Sequence, residues 1–476
     1  MSKRLIVILA LAFLIGLSVA AYAEVQNVKV SGDLTMKGIA RGNMTLKDNE
    51  APTDSFGESI SAILSQIRLR VDADLTDNVS TTVRLLNERI WGEETTANAA
   101  TDSGRTGIDL DLAYVTLKEF LYSPLTLVIG RQELRYGNAL IIGDPDTNGI
   151  AAGHGITAAG GTILPRSLDD LSCRKAFDAI KAVLNFDPLI VDLFYSKVDE
   201  NNVKTAEDVD LYGLNASYAL NKTTSLEGYF FQRTRDAWNI AGTGQIISKP
   251  EKTRVLGAKG VYAGITNLIL SLEGAYQFGN HITSTILYPD DLLTAPASRK
   301  VRAFAIQTGA MYMMPKVKYT PTIGGNYTLL SGDKYRSIND TSHGWNPMFE
   351  DQSGGTLFNK ILGFSNCQLF NLNGSLKPME DVKLALDYYY LRLINPYTSL
   401  ATTTPVTLSG VFGDPTYSMK GGKKSLGNEV DLNLTYDYTE DVQFGLSSGA
   451  FIPAGAFDKA NKKTASQVIG SMKVTF

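Results

Sequence analysis

Leu268-Ile269-Leu270-Ser271-Leu272-Glu273-Gly274-Ala275-Tyr276-Gln277-Phe278 alternates two chemistries step by step. Leu268, Leu270, Leu272, Tyr276 and Phe278 are apolar or aromatic, while Ser271, Glu273 and Gln277 fall between them. A period of two describes a strand whose two faces meet different solvents. Tracts of this kind recur as far as Phe476. Lipid on one face and water on the other accounts for all of them with one all-β fold, a single transmembrane antiparallel β-barrel.

The N-terminus agrees with that compartment. Lys3 and Arg4 precede an apolar run from Leu5 to Leu17, and Ala21-Tyr22-Ala23 has the small–x–small form of a cleavage site. Residues 1–23 therefore read as a cleaved secretory signal and 24–476 as one barrel, in the outer membrane of a Gram-negative cell. Past the signal, no apolar run reaches the roughly 18 residues a membrane helix needs. Mean hydropathy is near zero, which a barrel also gives because only alternate residues meet lipid. The 22 Tyr and 19 Phe suit aromatic girdles. A net charge of −4 argues against nucleic acid as a partner. Cys173 and Cys367 are too few for a disulfide scaffold. They read as two unrelated thiols, with a bridge across the barrel mouth as the alternative.

Alternating tracts and turn signals mark about eighteen candidate strands, from 25–38 to 466–476. The connectors alternate as well. Tight ones such as Thr76-Asp77-Asn78, Asp187-Pro188, Asn221-Lys222, Pro315-Lys316 and Thr439-Glu440 carry turn chemistry. Long ones cover 41–63, 92–106, 137–173, 236–252, 331–363 and 393–426. Short periplasmic turns and long extracellular loops are the outer-membrane habit. Ten residues at about 3.3 Å each, tilted by about 45°, cover roughly 23 Å, close to the apolar band of such barrels. Secreted sandwiches, solenoids and passenger domains lack this regular alternation of connectors. Membrane lipid, lipopolysaccharide and, through Phe476, the barrel-assembly machinery are the expected partners of a monomer.

Parity assigns the lumen. In Gln66-Ile67-Arg68-Leu69-Arg70-Val71-Asp72-Ala73-Asp74-Leu75 the apolar set faces lipid, so Gln66, Arg68, Arg70, Asp72 and Asp74 face water. An arginine turned to lipid at mid-depth would cost about 2–4 kcal/mol. The same logic turns Arg84, Glu227, Arg233, Lys259, Glu273, Gln277, Glu429, Asp431, Asn433 and Asp437 inward. Strict alternation sends Arg131, Glu133 and Arg135 outward with Leu125, Leu127 and Ile129. A bulge at Gly130 is expected to flip the register and return these charges to the lumen.

Catalytic patterns are missing. His154, His281 and His343 fall in expected loops without metal-ligand spacing, and no G-x-S-x-G elbow occurs. An enzyme is not expected, nor a cofactor. Asp144-Pro145-Asp146-Thr147-Asn148-Gly149 copies the first half of a calcium loop, but Gly155 stands where the bidentate acid belongs. Asp144, Asp146 and Asn148 are thus candidate ligands of a structural Ca²⁺, in a pattern that also makes ordinary acidic turns.

Gly130-Arg131-Gln132-Glu133-Leu134-Arg135-Tyr136-Gly137 resembles the G-R-Q-E-L-x-Y-G signature of the alginate-export family of outer-membrane proteins. Asp109-Leu110-Asp111-Leu112-Ala113-Tyr114-Val115, Phe177-Asp178-Ala179-Ile180-Lys181-Ala182, Leu426-Gly427-Asn428-Glu429-Val430-Asp431-Leu432 and Phe451-Ile452-Pro453-Ala454-Gly455 resemble further family segments in the same order. The resemblance implies a monomeric barrel of about eighteen strands that passes a polyanion through a basic constriction. Carried over by position, Arg68, Arg70, Arg84, Arg131, Arg135 and Arg174 would line it, with Glu133 among them. The competing role for these arginines is to brace the wall by pairing with Asp72, Asp74, Glu88, Asp109, Asp111 and Glu133. The mixed sign of the lining argues against alginate itself. The expected function is a passive channel for hydrophilic, anionic solutes such as oligosaccharides or organic acids. The alternative is a loop-plugged, surface-binding barrel without an open pore.

Overall fold

Every alternating tract becomes a strand that pairs antiparallel with the next. The computed structural model describes residues 27–47, 59–92, 107–146, 168–200, 208–236, 238–240, 245–247, 250–283, 297–333, 341–352, 354–397, 406–409 and 416–476. The signal segment 1–23, Asn148 and His154 lie outside them. The wall consists of β1 (Asn27–Gly42), β2 (Ser59–Thr76), β3 (Val79–Ile90), β4 (Asp109–Leu117), β5 (Leu125–Glu133), β6 (Ala176–Asn185), β7 (Leu189–Asp199), β8 (Val209–Asn221) and β9 (Thr224–Arg235). It continues through β10 (Glu251–Ile265), β11 (Leu268–Thr283), β12 (Ala297–Met313), β13 (Thr322–Leu330), β14 (Cys367–Met379), β15 (Val382–Leu393), β16 (Ser425–Asp437), β17 (Val442–Pro453) and β18 (Ala465–Thr475). β18 closes on β1 from Asp33↔Thr475 to Gly42↔Ser466, giving a closed 18-stranded antiparallel barrel. Closure leaves no strand edge unpaired in lipid.

The lipid face follows the alternation. Leu193, Leu214, Phe230, Leu256, Tyr276 and Phe304 stand opposite one another on successive strands, forming an apolar row around the wall. Leu256 is 59% exposed in the protein alone, which only a hydrocarbon neighbour makes tolerable. At the seam, Phe476 exchanges backbone hydrogen bonds with Gly32 at 2.9 and 3.0 Å. Its ring lies where a Cβ on Gly32 would be, 2.7 Å away. No helix among the described residues is long and apolar enough to cross a membrane.

Strand ends differ from the pattern for local reasons. β13 starts at Thr322 and not near 317, because Pro321 has no N–H for the ladder and Tyr319 and Thr320 turn with positive φ. β1, β2, β11 and β12 run longer than a bilayer requires. Their extracellular ends keep pairing outside the lipid, where alternation is no longer enforced.

The expected flip at Gly130 does not occur. β5 pairs with β4 and β6 without a register shift. Gly130 has φ +125°, and a Cβ there would lie 2.2 Å from the Ala113 carbonyl oxygen. This glycine serves a close approach of two backbones rather than a change of face. Gly130→Ala should sharply lower the yield of heat-modifiable, folded barrel on gels, whereas Gly38→Ala, which meets nothing within 4 Å, should leave it unchanged.

Candidate functional site

The lumen-facing rows of β1 to β4 bring the sequence-assigned charges together in pairs. Arg68 stands opposite Asp33 on β1, and Arg70 opposite Arg84 on β3. An Arg68 Nη2 lies 2.8 Å from Asp33, and Arg70 Nε lies 2.7 Å from Asp72. The Thr82 hydroxyl donates to the same Asp72 at 2.6 Å. Arg84 reaches Asp111 and Glu133, each at 2.5 Å, and Arg174 lies 3.5 Å from Asp109. The bulge that matters is here, on β4. Arg84 pairs with Leu112 and Leu85 with Leu110, leaving Asp111 as the extra residue. It turns its carboxylate to Arg84, a placement that β-period counting cannot see.

Arg131 is not in the lumen. It stands opposite Ala113 and Asp178 on the face that carries Val115, Ile129 and Ile180. Asp178 stands opposite Lys197, and Lys197 opposite Asp210, so an outward row of alternating charge lies one pleat beyond Tyr195 and Tyr212. Arg131 is 3.2 Å from Asp178, and Lys197 is 3.4 Å from Asp210. The mid-depth penalty that motivated a flip does not apply at strand ends, where it falls to about 0–1 kcal/mol. Glu133 lies past the last β4–β5 pair, Ala113↔Arg131, and Arg84 meets it there. Arg135 lies beyond β5 and pairs with Asp351.

That pairing belongs to a feature that strand periodicity does not place. Residues 136–146 after β5 and the described residues of 345–361 after β13 fold into the barrel and zip together. Phe349 N donates to Ile141 O at 3.0 Å, Gly143 N donates to Phe349 O at 2.8 Å, and Asp351 N donates to Ala139 O at 3.0 Å. Leu140, Ile141, Ile142, Trp345, Met348, Phe349, Phe358 and Ile361 are buried with lumen-facing Phe177, Phe194 and Phe231. Tyr136 stacks on Phe194 with centroids 5.2 Å apart, and Phe349 meets Phe177 edge-on at 5.9 Å.

Polar wall residues hold the loops in register. Glu273 accepts from Asn138 N at 2.8 Å, Gln277 accepts from Asn346 N at 2.9 Å, and Lys259 donates to Gly137 O at 2.9 Å. Glu429 accepts from Leu357 N and Phe358 N at 2.7 and 2.8 Å, at the start of a short helix, Phe358–Ile361. Glu429→Ala would orphan both amides, at about 1–3 kcal/mol each. Limited proteolysis should then cut within 354–361 at protease concentrations the parent resists; equal resistance would assign the loop's hold to its apolar contacts alone. The returning arm of the first loop crosses the opposite wall. Leu171 O accepts from Gln66 at 2.7 Å, Glu88 accepts from Cys173 N at 2.7 Å, and Asp169 pairs with Lys360 of the helix.

Lys175 lies between Asp144 and Asp351, at 2.5 and 3.1 Å. Burial pushes the Asp144 carboxyl above its ordinary range despite Lys175. Burial also acts on Asp351, but Lys175 and Arg135 together bring it below that range. Asp144 thus gives its carboxylate to Lys175 and to Asp146 N at 2.9 Å, an Asx turn, while Asn148, the third candidate calcium ligand, lies outside the described residues. Among the described residues no group of three His, Cys, Asp or Glu converges on a point. Cys173 and Cys367 are free thiols. His281 contacts Glu251 at 2.8 Å, and His343 contacts Arg302 O at 2.9 Å.

The alginate-export sequence profile matches residues 34–471. The chain belongs to the alginate-export family. A search of curated proteins finds no match. Among solved structures the barrel is similar to OccAB2 of Acinetobacter baumannii, with TM-score 0.54 and 10% identity over 95% of this chain and 99% of that one. It is also similar to Pseudomonas aeruginosa OccK2 (OpdF), solved in complex with glucuronate, with TM-score 0.52 and 11% identity over 95% and 99%. OpdK of the same species gives TM-score 0.52 and 10% identity over 95% and 100%. At such identity the likeness is one of fold. Family and fold together make this an outer-membrane channel barrel of a Gram-negative cell.

Proposed function

We propose that the channel passes small hydrophilic solutes bearing carboxylates, sugar acids and organic acids among them, by passive diffusion. The observation that carries this reading is the arginine wall of β2 and β3, in which Arg68, Arg70 and Arg84 are each fixed by an acid without being used up. A guanidinium has five N–H donors. Arg70 commits Nε and Nη2 to Asp72, and Arg84 commits Nε to Asp111 and Nη2 to Glu133. The remaining donors of Arg70, whose side chain is 37% exposed, can hold a passing carboxylate, while the paired acids cancel much of the net attraction. Conduction needs that balance, binding firm enough to admit a solute and weak enough to release it. The arginines called braces and the arginines called selectivity residues are then the same residues in one arrangement. The glucuronate in OccK2 is a solute of the class proposed.

Arg68→Ala with Arg70→Ala should shift the reversal potential of the purified channel towards cations in planar bilayers. Arg131→Ala, on the outward face, should leave it unchanged. Equal shifts from both would overturn the assignment of faces, and no shift from the pair would remove these arginines from the path. The outward row at Arg131, Asp178, Lys197 and Asp210 suits the lipopolysaccharide headgroup layer, and the exposed ring of Phe476 suits the assembly machinery. The second reading, a loop-plugged binding barrel, draws on the in-folded loops.

A further inference from the structure

Opposite the arginine wall, β11 to β15 carry a cavity of about 370 Å³ that anion passage does not use. Its ceiling is Asn138 and Gln352 of the two inner loops, and its wall is Gln307, Asn326, Asn371 and Asn373. No lysine or arginine lines it, and Asp387 is its single acid. Carboxylates therefore find repulsion there and no ion-pair partner. A lone carboxylate likewise falls short of the oxygen shell that a calcium ion takes.

The amides keep hydrogen-bonding capacity in both senses. Asn326 and Asn373 each donate to Asn371 Oδ1, at 2.9 and 2.6 Å, which fills that oxygen's lone pairs. Asn371 Nδ2 is 3.5 Å from Asp387 Oδ1 and from Tyr388 O, at the outer limit of a bond. Its two protons make only these long bonds, which a closer acceptor would replace. The carbonyl oxygens of Asn326 and Asn373 supply acceptors beside it. Gln307 is drawn to the ceiling, donating to Gln352 at 2.5 Å and accepting from Asn138 at 3.3 Å. Donors and acceptors in alternation, without charge, match sugar hydroxyls, each of which gives one proton and accepts another. Tyr389, also in the lining, offers a ring to the apolar C–H face of a pyranose. The volume lies at the small end of ligand pockets, which fits one ring.

We propose that this amide pocket is a low-affinity subsite for one ring of an uncharged saccharide, reached from the same lumen as the arginine wall. Its place on a transport route rests on the channel reading, but its occupancy does not. The probe is glucose, with glucuronate as the charged comparison, observed by saturation-transfer NMR on the full-length barrel in detergent. The parent should show saturable transfer to glucose. Gln307→Ala with Asn371→Ala should raise the half-saturating glucose concentration at least tenfold and leave glucuronate unaffected. Arg68→Ala with Arg70→Ala should do the reverse. Asn371→Ser, which keeps a donor and an acceptor, should bind between parent and double variant, and heat-modifiable migration checks that each variant is folded. Absence of saturable transfer to glucose, or equal glucose binding by a folded double variant, would overturn the subsite and assign the amides to bracing. A barrel that binds glucose yet passes no ions in bilayers would instead refute the channel and leave the subsite standing.

Discussion

Deleting residues 341–363 should raise single-channel conductance several-fold. Most of the described part of that segment sits inside the barrel: Trp345, Met348, Phe349, Phe358 and Ile361 are buried in one apolar cluster with Phe177 and the arm at Leu140 to Ile142. The two loops hold each other. Cutting away one strips the apolar cover and the backbone partners at Ala139, Ile141 and Gly143 from the other, so the deletion should free both. Phe349→Ala is the graded version, at about 3–5 kcal/mol for a buried aromatic. That cost should appear as noisier open-channel current, since the 18 wall strands do not depend on this ring for their pairing. A parent that is silent and a deletion that conducts would favour the plugged barrel. Unchanged conductance would show that the loops leave the limiting section to the arginine wall.

The barrel was legible because lipid imposes one rule on every spanning residue, and period two survives wherever that rule acts. Leu268 to Phe278 and Gln66 to Leu75 both face as their parity requires. The rule fails where lipid stops. Arg131 keeps its parity at a strand end where charge is cheap, and Asp111 escapes parity through a bulge on β4 that no glycine announces. The inner loops were beyond reach for a different reason. Leu140-Ile141-Ile142 is an apolar run inside a long connector, and such a run could have warned of a buried loop. Its partner, Phe349, lies in another loop far along the chain, and one sequence carries no information about that contact. The arginines were legible with most of their partners, since Asp72, Asp109, Asp111 and Glu133, expected as braces, meet Arg70, Arg174 and Arg84. Asp33, the partner of Arg68, was not, because it sits on β1 and is adjacent only through the β1–β2 register.

Asp33→Asn together with Asp72→Asn should turn the channel towards anions, by roughly tenfold in permeability ratio at low salt, since focused charge in a low-dielectric cleft changes local ion concentration on that scale. Each substitution removes a negative charge and keeps an acceptor oxygen near its arginine. Arg68 and Arg70 would remain in place, now uncompensated. Whether the barrel tolerates this depends on how dry the pairs are. The side chains of Arg68 and Asp33 are 24% and 14% exposed, and those of Arg70 and Asp72 are 37% and 33% exposed. Water reaches both pairs, so each contributes about 0–1 kcal/mol, and the folded yield should hold. Arg84 with Asp111 is the contrasting case, with the acid side chain at 0% exposure. Asp111→Asn should cost far more stability, because it leaves a guanidinium with a poorer partner in a dry place. Salt supplies the internal check. The Debye length falls from about 10 Å at 0.1 M to about 3 Å at 1 M, so the anion preference of the Asp33 and Asp72 variant should fade over that range. A preference that stays constant with salt would point to a change of pore shape, and none at low salt would place these pairs off the ion path.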